Sequence, residues 1–600
     1  MIHLPLTKRL HPLANGYLLT TAWLLSACTS TPLPPWSGPA PIPPAANSRP
    51  ATRVPVTAGL PSAVAAPVPA PLATTLPPSS ARPAPPLPYS AAVAARYPEP
   101  SVVYATPGLQ PGRTQFTTQA EIQSWLRVQA SAASGTPGVQ ASVVPIGRSQ
   151  RGVTLEALVL TRAAGTDPLS LQASGRPTVL LVGQQHGDEP AGSEGLLVIA
   201  RELSQGLLQP LLERINVVIV PRANPDGAAA GTRATAGGLD MNRDHLLLNT
   251  PEAQALAALA RDYRPTVVVD AHEYTVTGRF VEKFSAIQKF DALFQYATTP
   301  NLPEFLTKAA EEWYRRPLLS ALKAQGLGGE WYYTTSSDLQ DKKISMGGTL
   351  PDTGRNVDGL KNAVSLLVET RGVGIGRLHI QRRVHTHVTA IMSVLGSTAQ
   401  RAAELHELRP YLDKEVSALA CKNDAVIEAL PTSAQYELLM VDPLSGADKV
   451  VVVDWDSALA LRPVKTRPRP CGYWLSASAT TAVERLRLQG VQVLKVTEAG
   501  SVLGDNYREI SRNAGERMDV RGSISDGDRI VVIQVGLSRS LIDVARGSYY
   551  VPLGQPMGNL VIAALEPDTQ SSYFANRLLP DLQGVVRVMA PPSLKLEELP

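Results

Sequence analysis

A chain of 600 residues with 44% hydrophobic and 18% charged residues is long and apolar enough to bury more than one core. Its net charge of +4 is small for this length, and no run of basic residues is interleaved with aromatics, which excludes a nucleic-acid-binding protein. Its first hundred residues do not have the composition of an ordinary domain.

Residues 1–27 have the form of a secretory signal, with basic Lys8 and Arg9, an apolar stretch over 17–25, and then Ser26-Ala27-Cys28. The apolar stretch is too short to span a bilayer as a helix. Leu25-Ser-Ala-Cys28 has the form of a bacterial lipobox, which implies cleavage before Cys28 and acylation of its thiol. An ordinary signal peptide cut near the same place is the alternative. The expectation is a lipid-anchored protein of the bacterial cell envelope, on the periplasmic or outer-membrane face. Its membrane contact would run through the N-terminal lipid. Residues 28–100 are rich in Pro, Ala, Ser and Thr, with few charges, and predict a disordered tether.

Further on, Thr118-Gln-Ala-Glu121 has capping-box form and opens an amphipathic helix. Strands are predicted over 153–160, 178–182, 215–220, 266–269 and 363–368, with helices between them over 191–203 and 252–262. This alternation predicts an α/β sheet with helices on both faces, in a catalytic part spanning 112–400. Residues 392–416 read as helix. From about 425 the strand candidates 450–454, 492–496 and 529–535, broken by Pro and Gly, predict a β-rich or α+β accessory domain over 420–600. Its Tyr549, Tyr550 and Tyr573 suit core or turn positions, with a carbohydrate- or peptide-facing surface as the alternative. Cys421 and Cys471 lie in a compartment that permits disulfides, as a bridge or as two buried thiols.

Three of the predicted strands deliver side chains able to bind metal or move protons. Val182-Gly-Gln-Gln-His-Gly-Asp-Glu189 follows the first, His272 ends Thr266-Val-Val-Val-Asp-Ala-His, and Glu369 ends Val364-Ser-Leu-Leu-Val-Glu. The carboxyl edge of an open α/β sheet is where such sites are built. Two imidazoles and a carboxylate (His186, His272, Glu189) suit one catalytic zinc ion with a position left open for water. Glu369 then suits the base. Against this stand plainer readings: polar loop residues at 186 and 189, a Glu369 salt bridge to Arg371 or Arg377, and surface positions for the arginines. Glu273 is expected to point to the opposite face from His272. His245 suits either the cleft or the surface. His385 and His387, two residues apart, are expected on a surface helix.

His-x-x-Glu at 186–189, Arg-x-Thr at 233–235, Gly-x-Asp-x-Asn-Arg at 238–243, His272 and Glu369-Thr-Arg resemble, in this order, the zinc metallocarboxypeptidase family, the carboxypeptidase A-like group. Asn224-Pro-Asp-Gly227 and Ile146-Gly-Arg-Ser-Gln-Arg-Gly152 fit that resemblance, which covers roughly residues 115–400. It implies a mixed, mostly parallel eight-stranded sheet. It also implies hydrolysis of the C-terminal peptide bond by a zinc-activated water, with a peptide as substrate. Arg233 would stabilise the oxyanion, Asn242 and Arg243 would bind the free carboxylate, and Asp240 would orient a ligand histidine. The family's mobile tyrosine before the base is missing, because no Tyr occurs from 334 to 370. Arg355 or Asn356 is expected to face the substrate instead. Alternative functions are a zinc amide hydrolase acting on cell-wall peptides or N-acyl amino acids, and a non-catalytic binding lipoprotein on the zinc fold.

Overall fold

The computed structural model describes residues 88–524 and 529–599. The expected signal, Cys28 and most of the tether lie outside the described residues. The end of the expected tether is structured, which corrects its boundary at residue 100. Ser90 caps a one-turn helix, α1 (Ala91–Ala94), and Tyr89, Val93 and Tyr97 are all buried. Residues four apart share a helical face, so this short apolar stripe docks as a unit. The Tyr97 hydroxyl donates to the Lys289 carbonyl at 2.8 Å. The proline-rich composition around these three residues masks their spacing.

Eight strands form the central sheet: β1 (Gln140–Arg148), β2 (Thr154–Thr161), β3 (Thr178–Gly183), β4 (Asn216–Val220), β5 (Val267–Thr275), β6 (Ala292–Tyr296), β7 (Gly329–Trp331) and β8 (Val364–Val373). Their order is β1-β2-β4-β3-β5-β8-β6-β7. The centre, β4-β3-β5-β8, is parallel, while β1, β2 and the β8–β6 pair bring antiparallel edges. The sheet is thus mixed and mostly parallel.

Alternation along each central strand serves two cores, because successive side chains point to opposite faces. Val179 and Leu181 of β3 pack with α2 (Gln119–Ser134), α3 (Pro190–Gln205) and later helices. Leu180 and Val182 pack on the other face with α4 (Pro251–Tyr263). Thr118 and Glu121 make the expected capping box, and Pro190 and Pro251 open their helices where a missing N–H costs nothing.

The expectation for His385 and His387 is corrected. They lie on α5 (Ile380–Gln400), which is sandwiched between β8, α3 and other helices, and both are buried. Buried polar groups need internal partners. His387 Nε2 lies 3.0 Å from Thr370 Oγ1, and His385 Nδ1 lies 2.7 Å from the Tyr104 hydroxyl. Burial pushes the His387 imidazole down to about 3.

Beyond residue 420 the sheet changes but the packing does not stop. A long hairpin, β9 (Asp424–Val441) and β10 (Asp448–Pro468), pairs with Ile287–Gln288 and Lys343–Ser345 of the first part. A seven-stranded sheet follows, including the hairpin β11 (Gly500–Gly515) and β12 (Ile530–Val544), with helices Thr480–Leu488 and Gly558–Leu565. Leu246, Leu247, Val357 and Leu360 of the first part share one core with Val483, Leu560 and Tyr573. Cys421 and Cys471 are bridged. Among the described residues no helix is long and apolar enough to cross a membrane.

Candidate active site

The loop after β3 carries two of the site residues and needs a glycine. Gln184 takes a left-handed backbone (φ 49°), and its amide donates to the Gly187 carbonyl at 2.9 Å. A Cβ on Gly187 would lie 1.9 Å from the Gly227 carbonyl carbon, so the loop presses directly on the Asn224-Pro-Asp-Gly227 turn. Asn224 in turn donates to the Gln185 and Ala234 carbonyls at 3.1 and 3.2 Å, tying the His186 loop to the loop of Arg233. Asp226 accepts from Ser149 and from the Arg151 N–H, which gives the 146–152 segment its place.

His186, Glu189 and His272 converge, with one ligand atom from each lying within 4.8 Å of the others. His186 Nδ1 and His272 Nδ1 are 3.1 Å apart and contact the two Glu189 oxygens at 2.7 and 2.8 Å. On the outer side, His186 Nε2 faces Asp240 at 3.0 Å and His272 Nε2 faces Asp270 at 2.8 Å. A carboxylate on the outer nitrogen keeps the proton there and leaves the inner lone pair for a metal. Burial disfavours charge on Glu189, yet His186 and His272 hold its carboxyl well below the usual range. Burial likewise disfavours charge on His272, but Asp270 and Glu189 raise it well above its ordinary value. The pocket therefore favours positive charge. Arg233 answers with Nη1 at 3.1 Å from His186 Nδ1 and 3.3 Å from Glu189. This donor set fits a catalytic zinc ion, with two nitrogens and one carboxylate.

Glu369 on β8 is in register with His272 on the neighbouring parallel strand β5. Glu369 lines the cleft, and His272 lies buried against His186 and Glu189, which line it. Burial, and then the charge of Glu189, push the Glu369 carboxyl up to about 7. The alternative salt bridges are not formed: Arg371 donates to the Gln288 carbonyl and Arg377 to the Gly108 carbonyl. Glu273 does point away, to Arg383 at 2.6 Å. Asp188 lines the cleft outside the ligand set, while Glu194 is tied to Thr117.

Arg233 is anchored by Asp240 through Nε at 3.0 Å and Nη2 at 2.8 Å. Asn242 accepts the Gly354 N–H at 2.9 Å, and its amide nitrogen lies 3.3 Å from His272 Nε2. Arg243 has partners that the local motif did not predict. Its Nε and Nη2 donate to Asp519 Oδ2 at 3.2 and 2.7 Å, and Nη1 donates to the Asn242 carbonyl at 2.7 Å. Asp519 sits on a tight hairpin, Met518–Asp519 with Gly522–Ser523, that enters the cleft from the C-terminal part. A guanidinium has five N–H donors. One remains on each terminal nitrogen of Arg243, a fork suited to a carboxylate.

The cleft, about 360 Å³, also takes in Tyr332, Arg355 and Arg521. Of the two residues expected to face substrate, Arg355 lines the cleft, whereas Asn356 is fully buried and bonds the Gly348 and Leu350 carbonyls. His245 is buried against Gln185 at 2.7 Å, and burial lowers it to about 4. Sequence reasoning missed Asp270, Tyr332, Asp519 and Arg521. A charge inside the run Val267-Val-Val-Asp270 is a signal for the first; the last two have no local signal.

Residues 131–264 match the family model described as zinc carboxypeptidase, a span that holds His186, Glu189, Arg233, Asn242 and Arg243 but ends before His272 and Glu369. Carboxypeptidase 2 of Trichophyton rubrum is 27% identical over 424 residues, covering 70% of this chain and 77% of that protein. Carboxypeptidase D of Mus musculus is 30% identical over 222 residues, 30% of this chain and 16% of that one. Among solved structures, the carboxypeptidase A of Helicoverpa armigera overlaps with TM-score 0.37 at 16% identity, covering 52% of this chain and 79% of that chain. A metallo-carboxypeptidase of Burkholderia cenocepacia overlaps with TM-score 0.35 at 18% identity, covering 47% and 70%. Overlaps this low carry no weight for the chemistry. Over residues 131–264 the chain is thus similar to the zinc carboxypeptidase model, and over 70% of its length to a protein named carboxypeptidase 2.

Proposed function

We propose that the protein is a zinc-dependent carboxypeptidase that removes the C-terminal residue of peptides. The observation that carries this reading is one cleft lined by His186, Glu189, Glu369 and Arg243 with its free fork, and His272 converging on the first two from behind them. A zinc ion held by the three donors would supply Lewis-acid polarisation of the scissile carbonyl and activation of water.

The chain's own residues do the rest. Glu369, buried opposite the donors, takes a proton from the attacking water and delivers it to the leaving amine. Arg233, fixed by Asp240, offers a preorganised positive charge to the developing oxyanion. Arg243, clamped by Asp519, receives the substrate carboxylate on its remaining N–H groups and sets the scissile bond one residue from the terminus. Asn242 holds Gly354 and the His272 neighbourhood in place.

The test compares kcat/KM for free-acid and C-terminally amidated peptides, with wild type and Arg243→Ala. Amidation or the substitution should each cost about 2–5 kcal/mol, as for one side of a buried charge pair, and the two losses should not add. Equal cleavage of both peptides by wild type would refute the carboxypeptidase reading and favour an amide hydrolase. Leu25-Ser-Ala-Cys28 supports a further proposal, that the enzyme is held in a bacterial envelope by a lipid on Cys28.

A further inference from the structure

Most arginines around the cleft have a carboxylate of their own. Arg233 pairs with Asp240, Arg243 with Asp519, Arg517 with Asp352, and Arg383 with Glu273. Arg355 and the exposed Arg279 line the same cleft without one, and Arg521 has only a long contact to the carboxylate that already clamps Arg243. The nearest carboxylate to the Arg521 guanidinium is Asp519, at 3.9 Å, and among the described residues that guanidinium makes no hydrogen bond. Arg355 is 4% exposed; its Nη2 donates to the Gly348 carbonyl at 2.7 Å, but its Nε is buried with no partner. The buried Arg355 Nε lacks both water and a partner, while the Arg521 guanidinium, 35% exposed, is open to an acceptor brought by a ligand.

The two side chains belong to one end of the cleft. Both lie near Tyr332, whose neutral phenol lines the cleft close to Glu369 and to the hairpin. Gly347 has φ +88°, and a Cβ there would meet Tyr332 Cδ1 at 2.9 Å and Arg355 Nη2 at 3.0 Å, so the ring and the guanidinium close over a residue without a side chain. Arg521 is aimed by its hairpin: its backbone N–H donates to Asp519 Oδ1 at 2.7 Å, while Oδ2 of the same carboxylate clamps Arg243. One acidic residue thus fixes both the guanidinium proposed for the α-carboxylate and the turn that presents Arg521.

Resting on the carboxypeptidase reading, we propose that Arg521 and Arg355 bind a second carboxylate, and that the preferred substrates are peptides whose C-terminal residue has an acidic side chain. Arg243 keeps the α-carboxylate, and the hairpin of the C-terminal part becomes a specificity-determining element of the cleft. This gives the accessory part a role in the reaction, through Asp519 and Arg521.

The experiment measures kcat/KM of the full chain on peptides that differ only in a C-terminal Glu, Gln or Lys, each also as the amide. Glu and Gln match in shape and differ in charge. Wild type should prefer Glu over Gln by tenfold or more and reject Lys. Arg521→Met should bring the Glu-to-Gln ratio to within about threefold, chiefly through KM, and Arg521→Lys should restore part of it. Arg355→Met should act in the same direction. A wild-type ratio within twofold overturns the proposal without any variant. A fall of both substrates by one factor in Arg521→Met, with the ratio kept, also overturns it, since that marks a structural role. Cleavage of the Gln peptide but not of its amide would leave the carboxypeptidase reading intact even then.

Discussion

Asp519→Asn removes a charge from the C-terminal hairpin while keeping its shape, and its effect on peptide cleavage separates two roles for that residue. Asp519 and Arg243 side chains are 4% and 11% exposed, and the contact uses Nη2 at 2.7 Å and Nε at 3.2 Å. A hydrogen bond to a charged group contributes about 1.5–3 kcal/mol net, and an amide oxygen retains part of it. If Asp519 holds the guanidinium so that its free fork meets the substrate carboxylate, the loosened Arg243 should cost about 1.4–2.7 kcal/mol in the transition state. That is roughly ten- to a hundredfold in kcat/KM. The loss should fall on free-acid peptides, while the slower cleavage of amidated peptides should change little, because they do not use the fork. The assay is kcat/KM for both peptides on wild type and variant, with zinc content and far-UV circular dichroism measured on each preparation. A rise in kcat/KM on free-acid peptides would refute the clamp, because it would mean that Asp519 competes with the substrate for Arg243.

Glu369→Gln should lower turnover by about two to four decades with zinc content unchanged, since it removes the base and leaves the donors. In the wild type, burial and Glu189 push this carboxyl up to about 7, so the active base form is lost as pH falls through that value; a cation on the donors moves the limb lower. The pH profile of kcat/KM should therefore show an acid limb at or below about 7, and a flat profile down to pH 4 would remove Glu369 from the mechanism. Gly187→Ala should cost folding stability near the upper end of overpacking effects, about 3 kcal/mol, because its Cβ would meet backbone; chemical denaturation measures it, and an unchanged midpoint would refute the close approach. Cys28→Ser should move the protein from the membrane to the soluble fraction, as loss of a multiply acylated anchor requires. Continued sedimentation with membranes would argue against the lipobox.

The local pattern of apolar runs ending in His, Glu and His made the centre of the sheet and the donor set legible without coordinates. Strand alternation and caps depend on neighbours a few residues away, so β3, β5, β8, α2 and α4 fall within a residue or two of expectation at most ends, although β5 and β8 run further toward their carboxyl ends. His186 and Glu189 share a short loop, and Glu369 stands beside His272 through simple parallel register. Reading failed where burial comes from distant chain. His385 and His387 look like surface residues until α5 is packed on both sides, and Tyr89, Val93 and Tyr97 look like linker until a docking face exists. Asp519 and Arg521 lie more than 270 residues from Arg243 in Arg517-Met-Asp-Val-Arg521, a stretch with no metal-ligand or nucleophile pattern. Periodicity and motif report on short-range geometry, and a hairpin reaching a cleft across two sheets is decided by the tertiary packing that closes the chain on itself. The sequence alone determined the fold class and pointed to the candidate metal donors and the candidate base. Tertiary structure decided what holds Arg243 and which charges surround the substrate, because a guanidinium's partner is whichever carboxylate folding brings within reach.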